Sequence, residues 1–487
     1  MGKPTGFIEY ERVEASYRPV NERIRDFKDF IVPQTPEALT IQSARCMDCG
    51  VPFCHAGFIV NGLSIGCPLS NLIPEINDLV YRGEIDKAYA RLSKTHPFPE
   101  FTSRVCPALC EGSCTLGEHE PPVTVKEIER YVIDETIRQG KLVAHKPKVS
   151  TGKRVAVVGS GPSGLACADL LNQLGDTVTV FERADRPGGL LMYGIPNMKL
   201  EKNLVLNRIE IMKKEGISFI TSTEVGKDYP VLELIKNFDA VVLCGGATRE
   251  RTLNVPGSEL FGVMTALNYL TRSTKNLLDG TPMDGLPDLK DAHVVVVGGG
   301  DTGTDCVGTS IRRGAKSAVQ FEIMPRPSDE RAPNNPWPLW PKIQKTDYGQ
   351  KEAIELFGAD PRIYETTVKE IVGESGKVTG VRTVQVEWKN EGGRMIPVDV
   401  PGSEVLRPAD IVLTAMGFTG PEKTLIEQLE LKTDARGNVY TDPDSHKSSM
   451  LTVFTAGDMH RGPSLVVWGL YEGRRAAKQC HDFLNER

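Results

Sequence analysis

The chain has 487 residues, of which 40% are hydrophobic and 25% charged, and its formal net charge is −6. This balance is typical of a globular protein of about three domains, and the acidic charge gives no reason to expect nucleic-acid binding. No apolar run reaches the roughly 20 residues that span a bilayer, and the polar N-terminus has no signal-peptide core, so we expect a cytoplasmic protein without membrane contact.

Residues 1–150 predict a small helical domain. The stretches 72–94 and 125–139 carry apolar residues three and four positions apart, which is the spacing of amphipathic helices. The segment KPKVSTGK, residues 146–153, is polar and predicts a linker to the next domain.

Cysteines are concentrated in this helical region. Disulfides are not expected in a reducing compartment. Two of the cysteines precede proline, as in bacterial ferredoxin motifs. Dinucleotide-binding patterns follow later in the chain, and a redox domain there would make an electron carrier useful. We therefore predict two [4Fe–4S] clusters whose eighth ligand is a carboxylate or amide. Zinc and unligated thiols are the alternatives, but zinc favours paired CxxC motifs and only one is present. The seven candidate ligands are Cys46, Cys49, Cys54, Cys67, Cys106, Cys110 and Cys114, and the other four cysteines, Cys167, Cys244, Cys306 and Cys480, are expected in the core.

Residues 154–182 predict a strand, a glycine turn, a helix and a second strand. In the GxGxxG turn the first glycine permits a tight bend, the second lets the backbone approach a pyrophosphate, and the third lets the helix pack on the strand. The helix N-terminus supplies N–H groups for the phosphates, and an acid ending the second strand can bind ribose hydroxyls. We therefore predict a dinucleotide site that includes Gly159, Gly161, Pro162, Ser163, Gly164, Glu182 and Arg183.

Residues 293–322 repeat this unit, again with an acid, Glu322, at the end of the second strand. A glycine turn without a ligand is the alternative, but the full pattern favours a second dinucleotide site. Its predicted contacts are Gly298, Gly300, Asp301, Thr302 and Gly303.

Two such sites in one chain predict FAD and NAD(P)H. The apolar stretch 239–247 closes the first part of the FAD domain, and the late strand at 451–460 brings the chain back to it. The loop 186–196 is expected to pass the flavin, with Gly189 and Leu190, and Gly457 and Asp458 are expected near its ribityl–phosphate arm.

The predicted fold class is α/β: a helical iron–sulfur domain followed by two doubly wound, Rossmann-like domains in a glutathione-reductase-like arrangement, one inserted in the other. The expected boundaries are 1–150 for the helical domain, 151–249 and 409–487 for the FAD domain, and 250–408 for the NAD(P)H domain. The proline-rich segment 326–341 breaks the pattern and predicts a surface excursion.

Together these motifs resemble the small (β) subunit family of glutamate synthase over nearly the whole chain. The motifs that carry the resemblance are GFIEYER (6–12), CMDCGVPFC (46–54), GCPLSNLIPE (66–75), RVCPALCEGSC (104–114), VAVVGSGPSGL (155–165), PGGLLMYGIPNMKL (187–200), VVGGGDTGTDC (296–306), NPWPLWP (335–341) and AGDMHRGPSLVVW (456–468). A wider group shares the domain combination, including the N-terminal part of dihydropyrimidine dehydrogenase and subunits of ferredoxin–NADP transhydrogenases.

The resemblance implies how the ligands are sorted. Cys46, Cys49, Cys54 and Cys114 would hold one cluster, and Cys67, Cys106 and Cys110 the other. In the dihydropyrimidine relative the eighth ligand is a glutamine on the following helix. The matching residue here is Glu129, a carboxylate, for which a solvated helix position is the alternative. The gap between Cys54 and Cys67 is also longer than in that relative.

The resemblance further implies an NAD(P)H-dependent oxidoreductase that reduces FAD and passes single electrons through the clusters to the large (α) subunit of a hetero-oligomer. That subunit makes L-glutamate from L-glutamine and 2-oxoglutarate. Hydride transfer needs positioning rather than a side-chain acid or base, so we assign no catalytic residue. The alternatives are a subunit of a ferredoxin–NADP transhydrogenase or sulfide dehydrogenase, and a non-catalytic assembly module.

The choice of coenzyme depends on the second dinucleotide site. Glu322 favours a free 2′-hydroxyl, whereas Arg312, Arg313 or Arg326 could hold a 2′-phosphate. Bacterial members of the family are mostly NADPH-linked, so the resemblance favours NADPH, with NADH as the alternative.

Overall fold

The helical region opens the fold. The computed structural model describes residues 2–283 and 287–486. The predicted helix at 125–139 is confirmed as Val125–Arg138, whereas the predicted helix at 72–94 is two helices that meet at Gly83, whose φ of +73° ends the first. The helices are Gly6–Glu9, Val20–Arg23, Pro36–Ala44, Ile73–Tyr81, Ile85–Leu92, Pro99–Val105, Leu109–Gly112 and Val125–Arg138, with short 3₁₀ turns at Phe53–His55 and Thr115–Glu118.

Two small antiparallel two-stranded sheets, the second of them a hairpin, complete this region. Ser16–Tyr17 pairs with Ile31–Val32, and Phe58–Val60 pairs with Leu63–Ile65. The second hairpin lies in the long gap between Cys54 and Cys67, so the extra residues there form a defined structure.

The first nucleotide-binding unit is a five-stranded parallel sheet. Its strands are short β-branched runs, and buried runs of this kind form parallel sheets covered on both faces. The spatial order is Val453–Thr455, Ala240–Leu243, Arg154–Val158, Thr177–Phe181 and Ser218–Ile220. The helices of this unit are Pro162–Gln173, Leu190–Tyr193, Lys202–Glu215, Val231–Asn237, Thr424–Gln428, Asp458–Arg461 and Val466–Asn485.

The second unit contains another five-stranded parallel sheet and is inserted in the first. Its order is Val263–Thr265, Ile411–Thr414, His293–Val297, Ser317–Phe321 and Arg362–Ile363. An antiparallel sheet made of Thr366–Glu374, Lys377–Glu391, Arg394–Asp399 and Val405–Pro408 extends it, and its helices are Ala266–Asp279, Asp301–Arg312 and Tyr348–Phe357. The predicted α/β class with two doubly wound units is confirmed.

One predicted boundary differs from the observed topology. Strand Ile411–Thr414, expected in the FAD domain from residue 409 on, pairs with His293–Val297 and Val263–Thr265 in the second sheet. The chain returns to the first unit only afterwards, at Phe418–Gly420, which pairs antiparallel with the outgoing strand Arg249–Glu250. An apolar strand ending in glycine fits either sheet, and hydrogen-bond pairing decides between them.

The segment 326–341 is more than the predicted surface excursion. The Trp337 indole donates from Nε1 to the Cys114 carbonyl at 3.1 Å, and its ring lies 5.0 Å from that of Phe53. Arg331 donates to the carbonyl of Gly112 at 3.0 Å, and a Cβ on Gly112 would come within 2.8 Å of the Trp340 ring. The second unit thus contacts the cysteine-bearing domain through this segment.

Among residues 2–283 and 287–486, no helix combines the length and apolarity needed to cross a membrane. The four cysteines expected in the core, Cys167, Cys244, Cys306 and Cys480, are all buried, as predicted.

Candidate cofactor site

A cavity of about 560 Å³ lies between the two nucleotide-binding units. Its size is that of a typical cofactor pocket, and we call it the dinucleotide cavity. The first glycine turn forms one wall, and the loop 189–195, which includes the short helix Leu190–Tyr193, and the 457–458 turn line it as well. The predicted residues that line it are Gly159, Gly161, Pro162, Ser163, Glu182, Arg183, Gly189, Leu190, Asp458, Asp301 and Thr302.

The first glycine turn has the geometry that its sequence requires. Gly159 has φ +100°, and a Cβ there would lie 2.4 Å from the Cys244 carbonyl oxygen. A Cβ on Gly164 would lie 1.9 Å from the Gly159 oxygen, so the helix packs directly on the turn. A Cβ on Gly161 would meet no protein atom within 4 Å, so this glycine leaves open space where a ligand's phosphates can approach.

Glu182 lines the dinucleotide cavity and also holds the first glycine turn by hydrogen bonds. Its buried carboxylate accepts hydrogen bonds from the Ser160 N–H at 3.1 Å, from the Ser160 hydroxyl, and from the Ala184 N–H at 2.8 Å. The acid therefore fixes the loop that would present it to a ribose. Arg183 lies beside it and pairs with Glu422 at 2.8 Å near the surface.

Glu472 fixes the 457–458 turn by a hydrogen bond, although no sequence motif marks this residue. The buried Glu472 carboxylate accepts from the Gly457 N–H at 2.9 Å and contacts His460 Nδ1 at 2.9 Å and Arg461 at 3.2 Å. Gly457 has φ +70°, and a Cβ there would lie 2.5 Å from Ser163 Oγ. Burial raises the pKa of Asp458 in the cavity wall to about 6.

A buried lysine holds the loop 189–195. Lys202 Nζ donates to the carbonyls of Leu191 and Ile195 at 2.9 and 2.6 Å. Burial lowers its pKa to about 7, because the ammonium has carbonyl partners rather than an ion pair. A Cβ on Gly189, in the same loop, would lie 2.8 Å from the Gly161 Cα, so the loop closes over the first glycine turn.

The second glycine turn repeats the backbone of the first. Gly298 has φ +125°, and a Cβ there would lie 2.3 Å from the Ala415 oxygen, while a Cβ on Gly300 would meet nothing within 4 Å. A Cβ on Gly303 would lie 2.3 Å from the Gly298 oxygen. Glu322 accepts from the Gly299 N–H at 2.9 Å, the counterpart of Glu182 in the first turn.

An ion pair inside the cavity joins the two units. Lys199 Nζ, from the first unit, lies 3.1 Å from Asp305 Oδ1, on the helix that follows the second glycine turn. The Tyr348 hydroxyl donates to the same oxygen at 2.9 Å. Burial raises the pKa of Asp305 to about 6, although Lys199 opposes the shift. No local sequence motif marks this pair, since its two residues lie far apart in the chain.

Two of the three candidate arginines are engaged away from the second glycine turn. Arg312 ends a helix that begins at the turn, which puts it about 16 Å away along the axis, and it forms a buried pair with Glu352 at 2.6 Å. Arg313 donates to Asn276 at 2.6 Å and to Ser273. Arg326 follows the strand that ends near Glu322 and is half exposed, pairing with Asp329 at 2.7 Å.

The seven candidate thiols form two groups. Cys46, Cys49, Cys54 and Cys114 line one small cavity of about 20 Å³, which we call the outer cysteine pocket. Cys67, Cys106 and Cys110 line a second one of about 20 Å³ together with Glu129, the inner cysteine pocket. These are the two groups that the family resemblance implies.

Glu129 is buried rather than solvated. Its Oε1 accepts from Asn71 Nδ2 at 2.9 Å, and burial raises its pKa to about 7. Burial also raises the pKa of Cys54 and Cys67 well above that of a free thiol. A bound metal favours the anionic form of such groups, since a coordinating thiol is deprotonated by the ion.

The donor sets suit iron–sulfur clusters. Three or four thiols face each pocket without a disulfide among the described cysteines, and thiolates are the ligands that [4Fe–4S] clusters use. Asn77 is buried beside Cys46 in the outer pocket, and within the described structure neither its Nδ2 nor its Oδ1 has a partner of normal hydrogen-bond geometry. An amide N–H in this position fits a sulfide acceptor.

The inner cysteine pocket adjoins the dinucleotide cavity. Val105 lines the cavity and Cys106 lines the pocket, and Val466 and Val467 have the same relation. The two cysteine pockets are joined in turn by a hydrogen bond of 2.8 Å from the Cys67 N–H to the Cys54 carbonyl. Cavity, inner pocket and outer pocket thus form a continuous series.

Comparisons with known proteins find a 4Fe-4S cluster family in the N-terminal region and nucleotide-binding families after it. Residues 23–141 match the model of dihydropyrimidine dehydrogenase domain II, 4Fe-4S cluster, residues 157–196 match an NAD(P)-binding Rossmann-like domain, and residues 206–473 match the pyridine nucleotide-disulphide oxidoreductase family. FprA from Mycobacterium tuberculosis has a similar fold, with a TM-score of 0.54 and 20% identity, over 69% of this chain and 85% of that one.

Relatives match over the whole chain. The glutamate synthase [NADPH] small chain of Bacillus subtilis (strain 168) is 47% identical over 487 residues, which is 99% of both chains. The glutamate synthase [NADH] of Schizosaccharomyces pombe is 46% identical over 98% of this chain but only 23% of its own length. The chain therefore belongs to the glutamate synthase small-chain family.

Proposed function

We propose that this chain is the electron-input subunit of glutamate synthase. It oxidises NADPH at FAD and passes the electrons through iron–sulfur clusters to the large chain, which makes L-glutamate from L-glutamine and 2-oxoglutarate. The observation that carries the proposal is the series of dinucleotide cavity, inner pocket and outer pocket, in which adjacent residues such as Val105 and Cys106 line neighbouring sites.

The chemistry is divided between cofactors and protein. When bound, FAD accepts a hydride and releases electrons singly, and clusters carry single electrons. The protein supplies binding and orientation. Gly161 and Gly300 leave space for the two pyrophosphates, each at a helix N-terminus, and Glu182 and Glu322 face the riboses.

The Lys199–Asp305 pair is proposed to orient the two nucleotides relative to each other. Each partner comes from a different unit, and both line the dinucleotide cavity. A buried pair of this kind fixes the approach of one unit to the other, because separating the charges in a low-dielectric interior is costly. Positioning of this kind is what hydride transfer requires of the protein.

The proposed ligand sets are those of the two pockets. Cys67, Cys106, Cys110 and Glu129 would hold the cluster next to the cavity, and Cys46, Cys49, Cys54 and Cys114 the cluster beyond it. Cys49 is partly exposed, whereas Cys46, Cys54 and Cys114 are buried. This supports an exit for electrons on the Cys49 side of the outer pocket.

NADPH is the proposed coenzyme, in keeping with the name of the Bacillus relative. With Arg312 and Arg313 engaged elsewhere, Arg326 is the proposed contact of the 2′-phosphate. Arg326 lies four residues after Glu322 in the chain, and its side chain is half exposed.

Anaerobic purification with the large chain tests the proposal. We expect flavin absorbance, about eight irons and eight sulfides per small chain, bleaching by NADPH rather than NADH, and glutamate formation that needs both chains. Flavin with zinc and without sulfide would contradict the cluster assignment. NADPH oxidation that never yields glutamate in the presence of the large chain would contradict the function.

A further inference from the structure

The hairpin Phe58–Ile65, formed by strands Phe58–Val60 and Leu63–Ile65, is anchored between the two cysteine pockets. It begins after Cys54 of the outer pocket and ends before Cys67 of the inner one, and the two cysteines share a backbone hydrogen bond. Its second strand packs inward. Ser64 accepts hydrogen bonds from the Trp340 N–H at 3.2 Å and from Trp468 Nε1 at 3.1 Å.

The first strand faces outward instead. Phe58, Ile59 and Val60 have 47%, 47% and 39% of their surface exposed, although all three are large and apolar. This strand pairs only with Leu63–Ile65 within the described two-stranded sheet, so its other edge is open. A free, apolar edge strand is an association site unless something covers it.

The surrounding sequence lacks the charges that normally protect such an edge. No Asp, Glu, Lys or Arg occurs between Asp48 and Glu75. Val51, in the same charge-free stretch and beside the outer pocket residue Pro52, is 74% exposed. Nucleic acid and anionic lipid need cationic contacts, which the stretch between Asp48 and Glu75 does not supply, so the chemistry of this stretch favours an apolar protein surface.

We infer that the outer strand Phe58–Val60 is a docking site for the large chain of glutamate synthase. The inference rests on the proposed function and adds to it the surface that the partner covers. The Schizosaccharomyces relative carries the counterpart of this chain as 23% of a single longer polypeptide, so a protein of the complementary length is the expected occupant. The strand begins four residues after Cys54, a residue that lines the outer pocket.

Paired serine substitutions test the docking site. In Phe58→Ser/Ile59→Ser we expect the dissociation constant for the separately purified large chain to rise by at least about tenfold, as is typical when an apolar anchor is removed. Glutamate formation at limiting large chain should fall in parallel. Ferricyanide reduction by NADPH reports on the dinucleotide cavity and should stay within about twofold. The matched control is Leu232→Ser, which removes a 69% exposed leucine from helix Val231–Asn237.

The outcomes separate this inference from the proposed function. If wild-type chain binds the large chain and the double variant binds equally well, the docking site is wrong and the function stands. If Leu232→Ser weakens binding as much as the double variant, the docking site is also wrong. If wild-type chain neither binds the large chain nor supports glutamate formation, both fail.

Hydrogen exchange provides a test without substitution. Amides of residues 58–60 on the open edge should become protected when the large chain is added to the wild-type small chain. Protection that instead appears on concentrating the small chain alone would identify a second copy as the occupant and overturn the inference.

Discussion

The two glycine turns share one backbone but differ in their surroundings. In each, the first glycine has a strongly positive φ, the middle one faces open space, and a glutamate at the next strand end accepts a backbone N–H. In the first turn Ser160 and Ser163 are buried, and Gly189 closes over Gly161. In the second turn Gly300, Asp301 and Thr302 are exposed.

This difference supports the proposal that one motif serves two kinds of ligand, FAD at the first turn and NADPH at the second. A covered turn suits a cofactor that stays bound, because leaving requires the loop 189–195 to move. An open turn suits a coenzyme that must exchange in each cycle. Surroundings, rather than the motif itself, separate the resident cofactor from the exchanging substrate.

The largest expected effect comes from filling the middle glycine of each turn. Gly161→Val should lower FAD affinity by at least about a thousandfold, roughly 4 kcal/mol, since the new side chain occupies phosphate space, where a Cβ meets no protein atom within 4 Å. Gly300→Val should keep the flavin and raise KM for NADPH by about a hundredfold. Flavin content and steady-state kinetics measure both. Loss of flavin from Gly300→Val would remove the distinction between the two turns.

Breaking the ion pair that joins the two regions should have the next largest effect. Lys199→Met leaves Asp305 buried without its cation, which we expect to destabilise the chain by about 3 kcal/mol. Adding Asp305→Asn should recover at least half of that loss, because the double variant no longer has an unpaired buried carboxylate at position 305. The free energy of unfolding is measured by urea unfolding at pH 7, with flavin fluorescence as the signal. Equal stability of the single and double variants would argue against a coupled pair.

Lowering the pH should destabilise the first unit and weaken its flavin binding, because His446 becomes protonated on unfolding. Burial lowers the pKa of His446 to about 4, below the unfolded value near 6.5. Between those values the unfolded chain binds the extra proton, so stability is lost as pH falls, by about 2 kcal/mol at pH 5. His446→Asn cannot protonate and should lose less between pH 7 and 5. His446 packs on His460, 5.1 Å away, so flavin release should follow the same pH range. Identical pH dependence in variant and wild type would contradict this assignment.

Removing the support of the 457–458 turn should have a moderate effect. In Glu472→Ala the buried Gly457 N–H loses its acceptor, which costs about 1.4 kcal/mol and raises the FAD dissociation constant about tenfold. Glu472→Gln keeps an acceptor and should recover most of the affinity, as measured by flavin titration of the apoprotein. KM for NADPH should not change, because the second turn does not depend on this support.

The smallest expected effect concerns the 2′-phosphate. Arg326→Ala should raise KM for NADPH about threefold and leave KM for NADH unchanged, as expected for an exposed ionic contact. Arg313→Ala is the matched control and should alter neither, since Arg313 contacts Ser273 and Asn276. A change in NADPH preference in the control alone would reverse the assignment.

Local patterns predicted much of this molecule. The glycine turns, their glutamates and the cysteine groups depend on short spacings, or on a family resemblance that such spacings carry. Glu472 and the Lys199–Asp305 pair depend on contacts between distant segments, and no local signal marks them. The position of Arg312 after the second turn predicts a phosphate contact, but the helix between them places Arg312 at its far end, where it pairs with Glu352. The strand at 411–414 fitted either sheet by composition, and only pairing assigned it.

The contact of segment 326–341 with the cysteine-bearing domain helps to restrict motion of the second unit. The second unit is attached at several separate places, which include the paired crossing strands at 249–250 and 418–420, the Trp337 contact with Cys114, the Lys199–Asp305 ion pair, and the buried group of Arg23, Glu352 and Arg312. A body held in this way has little freedom to swing as a whole. We therefore expect coenzyme exchange to be a local event at the rim of the cavity, and the spacing between the dinucleotide cavity and the cysteine pockets to stay constant during turnover.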